Sequence, residues 1–440
     1  MLFGSETKRE RKGLGENMDS TLEINRLAQP VTAATLTDEQ ASPPVAYAPV
    51  IEAASNLSRL LLVSEPGKDG VFDQVAGIID YLHRRRPDIA VDFAYSSRRS
   101  CARLADVVEA VVARGGEAVD LEVSCMPGPS DAKAAWKILE LVRRRRPQIV
   151  HGHSSKAGAL VRMLSLVAPG FPPVIYTPHA YYGLNGKRSV TSFVFNTIES
   201  LFGRIGRTVC SSSDERKFGL QQLRLPPRNL LVINNGIDVN RFHPATLEEK
   251  RACRAEFDLP EKGTILVSVG RDSQQKNYRP LYAALDPFLA DPAGDCFFAH
   301  AGAGSVELGL TLSPEARKRF RGFTHIDAVE RLLRAADGFI LTSQYEGLSL
   351  GMLQALATGL KMFLTKVTGN RCLIGAGFNQ VSWIELHDGE PSMIESIRKQ
   401  VQDWLVQPQA TDAYQVRRAR LNYNSQLQYA KLLRLYGAAL

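Results

Sequence analysis

The sequence predicts an α/β protein of two domains, each a parallel sheet with helices on both faces. Three observations predict it. Short apolar runs alternate with longer amphipathic stretches through most of the chain, which is the pattern of repeated β–α units. At 440 residues the chain exceeds what one core ordinarily holds. The alternation stops near residue 241 and then starts again, a coarse duplication with no short-period repeat.

Taken in order, residues 1–55 are polar, aperiodic and carry Ser42-Pro43-Pro44, and they read as a disordered tail. The first domain is expected over 56–241. It opens with a buried strand at 59–63 and a glycine-containing turn, Ser64 to Val71. A helix at 72–86 follows, apolar at Val75, Ile78, Ile79 and Leu82. Strands are expected at 89–95 and 118–123, and helices at 102–114 and 132–146. A strand at 148–150 then delivers His151-Gly152-His153-Ser154-Ser155-Lys156 to a rim, with a helix from 159 to 167. The strand at 174–176 delivers Thr177-Pro178-His179 to the same edge. A histidine at such a rim can donate to a hydroxyl or a phosphate. We read His151 as a satisfied structural residue and His153 as the functional one; His179 fits either role. The amphipathic stretch 186–206 reads by default as a core-facing helix. Its phenylalanines beside Lys187, Arg188, Arg204 and Arg207 also suit a bilayer surface. Strands at 207–210 and 230–233 close the domain, ahead of Asn234-Asn235-Gly236-Ile237-Asp238.

The second domain, expected over 242–424, repeats the arrangement. A strand at 264–269 ends in Gly270-Arg271-Asp272, and Lys276-Asn277 opens a helix at 278–289. Two cations at one strand-to-helix turn are what a diphosphate needs. A strand at 297–300 ends in Ala301-Gly302-Ala303-Gly304-Ser305, and His325-Ile326-Asp327 precedes a helix at 328–335. The stretch at the centre of the reading is 338–359. Gly338-Phe339-Ile340-Leu341 is a buried strand, and a helix runs from Leu350 to a C-cap at Gly359. Glu346 and Gly347 therefore sit where a strand ends and a helix begins, at the edge where open α/β sheets bind ligands. The first helix amides favour an anion, and the acid beside them suits hydroxyl groups. A strand at 361–364, a polar turn at Gly369-Asn370-Arg371 and a helix at 390–406 follow. The final helix, 425–440, is expected to return to the first domain.

The composition excludes several classes. No apolar run reaches membrane-spanning length, and the N-terminus lacks the apolar core of a signal peptide. The six cysteines form no CxxC pair, so neither a zinc framework nor a disulfide scaffold is expected. There is no Asp-x-Asp or HExxH, and no metal or cofactor is expected. A net charge of +8 and a basic pI fit an anionic substrate or membrane surface. The runs Arg84-Arg85-Arg86 and Arg143 to Arg146 fall at predicted helix C-termini, where the macrodipole favours cations. Nucleic acid is not an expected partner.

The motifs together resemble the retaining nucleotide-sugar glycosyltransferases of family 4, of GT-B fold. The residues that carry the resemblance are Asp69-Gly70-Val71, the segment 151–158, Thr177-Pro178-His179, Asn235-Gly236-Ile237-Asp238, Gly270-Arg271 with Lys276-Asn277, and Glu346-Gly347. In this order and spacing they cover the chain from about residue 59 to its end. The form at 151–158 is most similar to bacterial enzymes building capsule, exopolysaccharide or lipopolysaccharide O-antigen.

The resemblance implies two Rossmann-like domains facing a cleft, a nucleotide diphosphate sugar, UDP-linked by family habit, as donor, and a lipid-linked saccharide as acceptor. It also implies a cytoplasmic location, at the inner face of the cytoplasmic membrane where the anionic surface is touched. It assigns Arg271 and Lys276 to the diphosphate and Glu346 to the donor sugar, with His153 over the sugar ring. Gly70, Gly347, Leu348, Ser349 and Leu350 would approach the phosphates, and His325 lies near the base. Lys156 and His179 would lie on the acceptor side. Two departures stand out. The family carries a second Glu eight residues after the first, for the ribose; here it is Gln354, which keeps hydrogen bonds and loses the charge. Leu360-Lys361 follows Gly359 where the family has Pro. Gln354 is the one feature behind an alternative reading, a catalytically weak scaffold subunit of a polysaccharide-assembly complex.

Overall fold

The computed structural model describes residues 56–440 apart from 125, 188, 379, 387, 388 and 408–411. The expected tail, 1–55, lies outside the described residues. The chain divides into two compact units. One runs to Asn235 and takes back Gln426–Leu440; the other spans Gly236–Ser425. The division falls earlier than the expected boundary near 241, for a local reason. Ile237 donates its amide to Tyr423 O (2.8 Å) and accepts from Ser425 N (2.9 Å). Ile237 and Phe242 then pack into the core of the second unit.

The first unit holds seven parallel strands in the order β3-β2-β1-β4-β5-β6-β7. These are β1 (Arg59–Ser64), β2 (Ala90–Tyr95), β3 (Ala118–Asp120), β4 (Ile149–His153), β5 (Val174–Thr177), β6 (Arg207–Cys210) and β7 (Leu230–Val232). The central strands β1, β4 and β5 are buried on both faces, as parallel strands between helices are, and β4 carries His151 and His153 among its buried residues. Helices Asp69–Arg85 and Arg103–Ala113 pack into one apolar cluster with Tyr429, Leu432, Leu433 and Tyr436 of the final helix, Ser425–Gly437. Helices Ser130–Arg145 and Ser155–Val167 build a second cluster. Strand order reverses between β1 and β4, where Ser64 pairs with His153. A ligand crevice is expected outside the strand ends at such a switch point.

The second unit holds six parallel strands in the order β10-β9-β8-β11-β12-β13. These are β8 (Thr264–Val269), β9 (Cys296–Ala301), β10 (Phe320–Phe323), β11 (Gly338–Leu341), β12 (Lys361–Thr365) and β13 (Val381–Ile384). Its switch point lies between β8 and β11. Helix Leu350–Thr358 begins at Ser349, whose side chain accepts from Met352 N, and ends at Gly359 in the left-handed region (φ 85°).

The structure corrects the reading in several places. β4 extends through His153, so His151 and His153 are strand residues and not loop residues. β3 stops at Asp120. Helices Ser213–Gln221 and Leu247–Glu256 were missed because both are strongly polar, and β10 and β13 because they are partly exposed edge strands, Phe-Arg-Gly-Phe and Val-Ser-Trp-Ile, without a continuous apolar run. The arginine runs are held locally. Arg86 donates to Asp88 (2.6 Å), Arg145 to buried Asp92 (3.0 Å), and Arg144 pairs with Glu117 and Glu140.

Candidate functional site

The second unit places Glu346 and Lys276 together at its switch point. β8 ends at Val269 and β11 at Leu341, and the turns after them carry the two residues. Lys276 Nζ lies 2.6 Å from Glu346 Oε1 although 70 residues separate them in sequence. Ser343 Oγ donates to the same oxygen at 2.6 Å, while Oε2 meets only Gln275 Nε2, at 3.4 Å. The carboxylate is thus anchored through Oε1, and Oε2 keeps acceptor capacity. Glu346 is buried at 6% exposure. Its backbone is fixed too: its amide donates to Thr368 O (2.9 Å), and a Cβ on Gly369 would come 2.3 Å from its carbonyl oxygen. Only glycine, here at φ 88°, allows that approach.

Part of the expected donor side follows Glu346 directly in the chain. Gly347, Leu348, Ser349 and Leu350 lead into helix Leu350–Thr358, whose first amides have no intrahelical acceptor. The Ser349 hydroxyl is used as the N-cap. Gln354 is half-buried on the same helix. Arg271 is exposed in the turn after β8. His325 is exposed in the loop after β10 and pairs with Asp327 (3.0 Å), two strands away from β8. Lys276 was expected to meet a diphosphate directly. In this structure its charge is balanced by Glu346, so a diphosphate would have to share it.

In the first unit the switch point is lined by histidines. His151 bonds Tyr436 Oη through Nδ1 (2.8 Å) and Thr177 Oγ1 through Nε2 (2.9 Å), so both ring nitrogens are satisfied. Its ring centroid is 4.0 Å from that of His153. His153 is 1% exposed, and its Nδ1 lies 3.0 Å from His179 Nε2. Its Nε2 is buried without a hydrogen-bond partner. An orphan imidazole nitrogen at a switch point is a candidate ligand contact. His179 is half-buried with φ 59°, a strained conformation for a non-glycine residue.

Two of the expected residues have local roles the sequence did not show. Lys156 was expected on the acceptor side. Its ammonium instead spends all three donors on Asp131 Oδ1 (2.8 Å), Asp131 Oδ2 (2.6 Å) and Met126 O (2.7 Å), and the residue is buried. Gly70, expected to let this turn approach the diphosphate or the acceptor, is the second residue of helix Asp69–Arg85, and the left-handed conformation there belongs to Asp69 (φ 59°).

Sequence reasoning gave no role to Ser343 and Gln275, which contact Glu346, or to Tyr436, which together with Thr177 of the singled-out Thr177-Pro178-His179 holds the structural His151. Ser343 and Gln275 do lie in the turns it singled out. Tyr436 carries no local signal, because its role depends on the final helix packing behind β4.

Burial dominates the electrostatics of the imidazoles. It lowers His151 to about 3 and His179 and His300 to about 4, and holds His153 well below the ordinary value. A histidine lowered by folding takes up protons more readily when unfolded. Its stabilisation is complete above about pH 6.5 and is lost as pH falls toward 4. Glu215, raised to about 7 by burial, acts in the opposite direction over that window. His83 is lowered by burial as well and Glu65 raised, so five histidines outweigh two carboxyls, and the urea midpoint is expected to fall clearly between pH 7 and pH 4.5. An unchanged midpoint would mean the rings are not held neutral.

Comparison with known proteins follows the same division. A model described as Glycosyltransferase Family 4 matches residues 69–241, and one described as Glycosyl transferases group 1 matches residues 263–403. The chain is 30% identical over 270 residues to the UDP-Gal:alpha-D-GlcNAc-diphosphoundecaprenol alpha-1,3-galactosyltransferase of Escherichia coli, covering 59% of this chain and 67% of that one. Among solved structures, a sucrose-phosphate synthase from Thermosynechococcus elongatus aligns with TM-score 0.68 at 15% identity, covering 86% of this chain and 98% of that one. Anabaena Alr3699/HepE in complex with UDP and glucose aligns with TM-score 0.66 at 16% identity, covering 85% and 98%. At such identities the structures share the fold.

Proposed function

Because this chain belongs to the family 4 glycosyltransferases, with the GT-B fold, we propose that it is a retaining, metal-independent enzyme. It moves a sugar from a nucleotide diphosphate sugar, UDP-linked, to a lipid-linked saccharide during synthesis of a bacterial surface polysaccharide. The observation that carries this reading is the Lys276–Glu346 pair at the β8/β11 switch point, with Arg271 in the adjoining turn. The name of the Escherichia coli relative, with its UDP-galactose donor and diphosphoundecaprenol acceptor, supports both substrate classes. The neighbour in complex with UDP and glucose supports the donor class alone.

In this reading Arg271 and Lys276 take up the negative charge that grows on the departing diphosphate, stabilising the transition state more than the ground state. Glu346 Oε2 accepts from a sugar hydroxyl and offsets positive charge developing at the sugar carbon. The departing phosphate oxygen takes the acceptor hydroxyl's proton on the same face, so configuration is retained. Gln354 accepts from a ribose hydroxyl as a neutral group.

Calorimetry with UDP and UDP-sugars tests this. Micromolar binding is expected, tightened about fivefold to tenfold in Gln354→Glu, which restores a charge-assisted bond. No nucleotide binding in either protein would move the case to the scaffold reading.

Contact with an anionic membrane is the second part of the proposal. Helix Val190–Phe202 does not face the core as expected: Val190 is 82% exposed, Phe193 73% and Leu201 68%. Leu166 and Val167 of helix Ser155–Val167 are exposed as well, and Lys187 and Arg204 flank the surface. Among the described residues no helix is long and apolar enough to cross a membrane. An exposed apolar face edged by cations suits the interface of a bilayer. Phe193→Ser is expected to release protein from anionic vesicles in sedimentation with no change in Tm. Phe195 is a poorer choice, since it stacks on Tyr182 at 4.6 Å. Retention of Phe193→Ser on vesicles would count against the surface.

A further inference from the structure

We propose that His300 is a positioning residue that sets the direction of the Gly270–Arg271 peptide. This deepens the functional proposal and rests on its reading of Arg271 as a diphosphate ligand. His300 is fully buried in β9, paired in register with Ser268 of β8. Its Nε2 lies 2.8 Å from Gly270 O, and its Nδ1 lies 2.8 Å from Tyr282 Oη.

These two contacts determine the ring's state. A carbonyl oxygen only accepts, so Nε2 carries the proton. The neutral ring then has its lone pair at Nδ1, and the Tyr282 hydroxyl must donate to it. The order Tyr282 O–H to His300 Nδ1, then His300 Nε2–H to Gly270 O, is the only one in which every group is satisfied with the ring neutral. Burial keeps the ring neutral near pH 7.

The geometry around the carbonyl is tight. Gly270 has φ 152° and Gly302 φ 151°. A Cβ on Gly302 would stand 2.1 Å from Gly270 O, and a Cβ on Gly270 would stand 2.7 Å from Tyr278 Oη. The Tyr278 ring packs 4.2 Å from the His300 ring. Two glycines therefore clear the space, and His300 fills it with a directed donor. The peptide is planar and trans, so a carbonyl held toward His300 turns the Arg271 N–H to the opposite side. The direction in which Arg271 leaves the strand end is thus set from behind, by a residue that touches no ligand. Gly270 N donates to Ala301 O (2.8 Å) and Asp272 N to Ala303 O (2.7 Å), so the chain is held on both sides, and the His300 contact fixes the peptide between them, where glycine leaves the most freedom.

The test uses the full chain, UDP and UMP as probes, and His300→Leu, His300→Gln and Tyr282→Phe. In His300→Leu, UDP binding is expected to weaken about tenfold while UMP binding stays within about twofold, because only the second phosphate needs the oriented turn. The Gln amide can donate from nearly the place of Nε2, so His300→Gln is expected to recover most of the loss. Tyr282→Phe, the milder change, should show the same selectivity at smaller size and serves if His300→Leu does not fold. A purely structural role would weaken both nucleotides together, with no rescue by Gln, and would overturn the inference. An amide NMR spectrum separates this from failure of the functional reading. If wild-type protein binds neither nucleotide but the Arg271 amide shifts in His300→Leu, the tether stands and the diphosphate reading falls. An unmoved Arg271 amide in a folded His300→Leu protein overturns the tether.

Discussion

Glu346→Ala is expected to lower the rate of sugar transfer by about a hundredfold to a thousandfold, the scale of losing one preorganised charge at a reacting centre. The reason lies in the geometry of Oε1. That oxygen holds Lys276 Nζ and Ser343 Oγ, each at 2.6 Å. Without the carboxylate the ammonium is left only 17% exposed and unbalanced, and it must find water or swing away. In the proposed reading the substitution removes both the group that would face the sugar and the anchor of the Lys276 ammonium. Glu346→Gln keeps the shape and an acceptor for Ser343 but loses the charge, so its rate is expected to fall by about tenfold to a hundredfold. Lys276→Met combined with Glu346→Gln should lose much less than the product of the single effects, because the residues act as a unit. Release of nucleoside diphosphate under saturating substrates measures all three. A fully active Glu346→Ala protein would remove Glu346 from the site.

The second large effect concerns stability. Glu199→Ala is expected to destabilise the first unit by about 3–5 kcal/mol, the scale for stranding a buried charge. Arg162 is 0% exposed and Glu199 2%. Arg162 Nη2 meets Glu199 Oε2 at 2.8 Å, and Tyr176 Oη donates to Glu199 Oε1 at 2.6 Å. Arg162 Nε donates to Gly158 O at 2.9 Å, and its guanidinium lies 4.0 Å over the Tyr176 ring. The network ties helix Ser155–Val167 and β5 to helix Val190–Phe202. Deleting the carboxylate strands the guanidinium charge, left with only the Gly158 carbonyl and the Tyr176 ring, and takes the carboxylate acceptor from the Tyr176 hydroxyl. Arg162→Met with Glu199→Leu removes both charges and is expected to recover most of the loss. Urea denaturation followed by fluorescence measures the difference. A Glu199→Ala midpoint within error of wild type would mean water reaches Arg162.

The same helix shows why part of the structure could not be read in advance. Its phenylalanines suggested a core face, yet Phe193 is exposed while the polar Ser192 and charged Glu199 are buried. Periodicity states that a helix has two faces. It does not state which face is covered when a buried cation waits on a neighbouring helix.

Local physics is what the sequence by itself determined. Apolar runs bounded by turns predicted nearly all the strands, because a strand buried on both faces has little freedom in composition. Gly359 ended its helix as expected, because a left-handed C-cap is a property of one residue. The turns after β8 and β11 were legible for the same reason. Tertiary structure alone decided which turns meet. Strand order puts β8 beside β11, and that order brings Lys276 to Glu346. It also directed Lys156 into Asp131, drew His151 to Tyr436 and placed His300 under Gly270. Each of these pairs is far apart in sequence and carries no periodic signal, because a buried hydrogen bond is specified by the packing of whole elements and not by the residues around either partner.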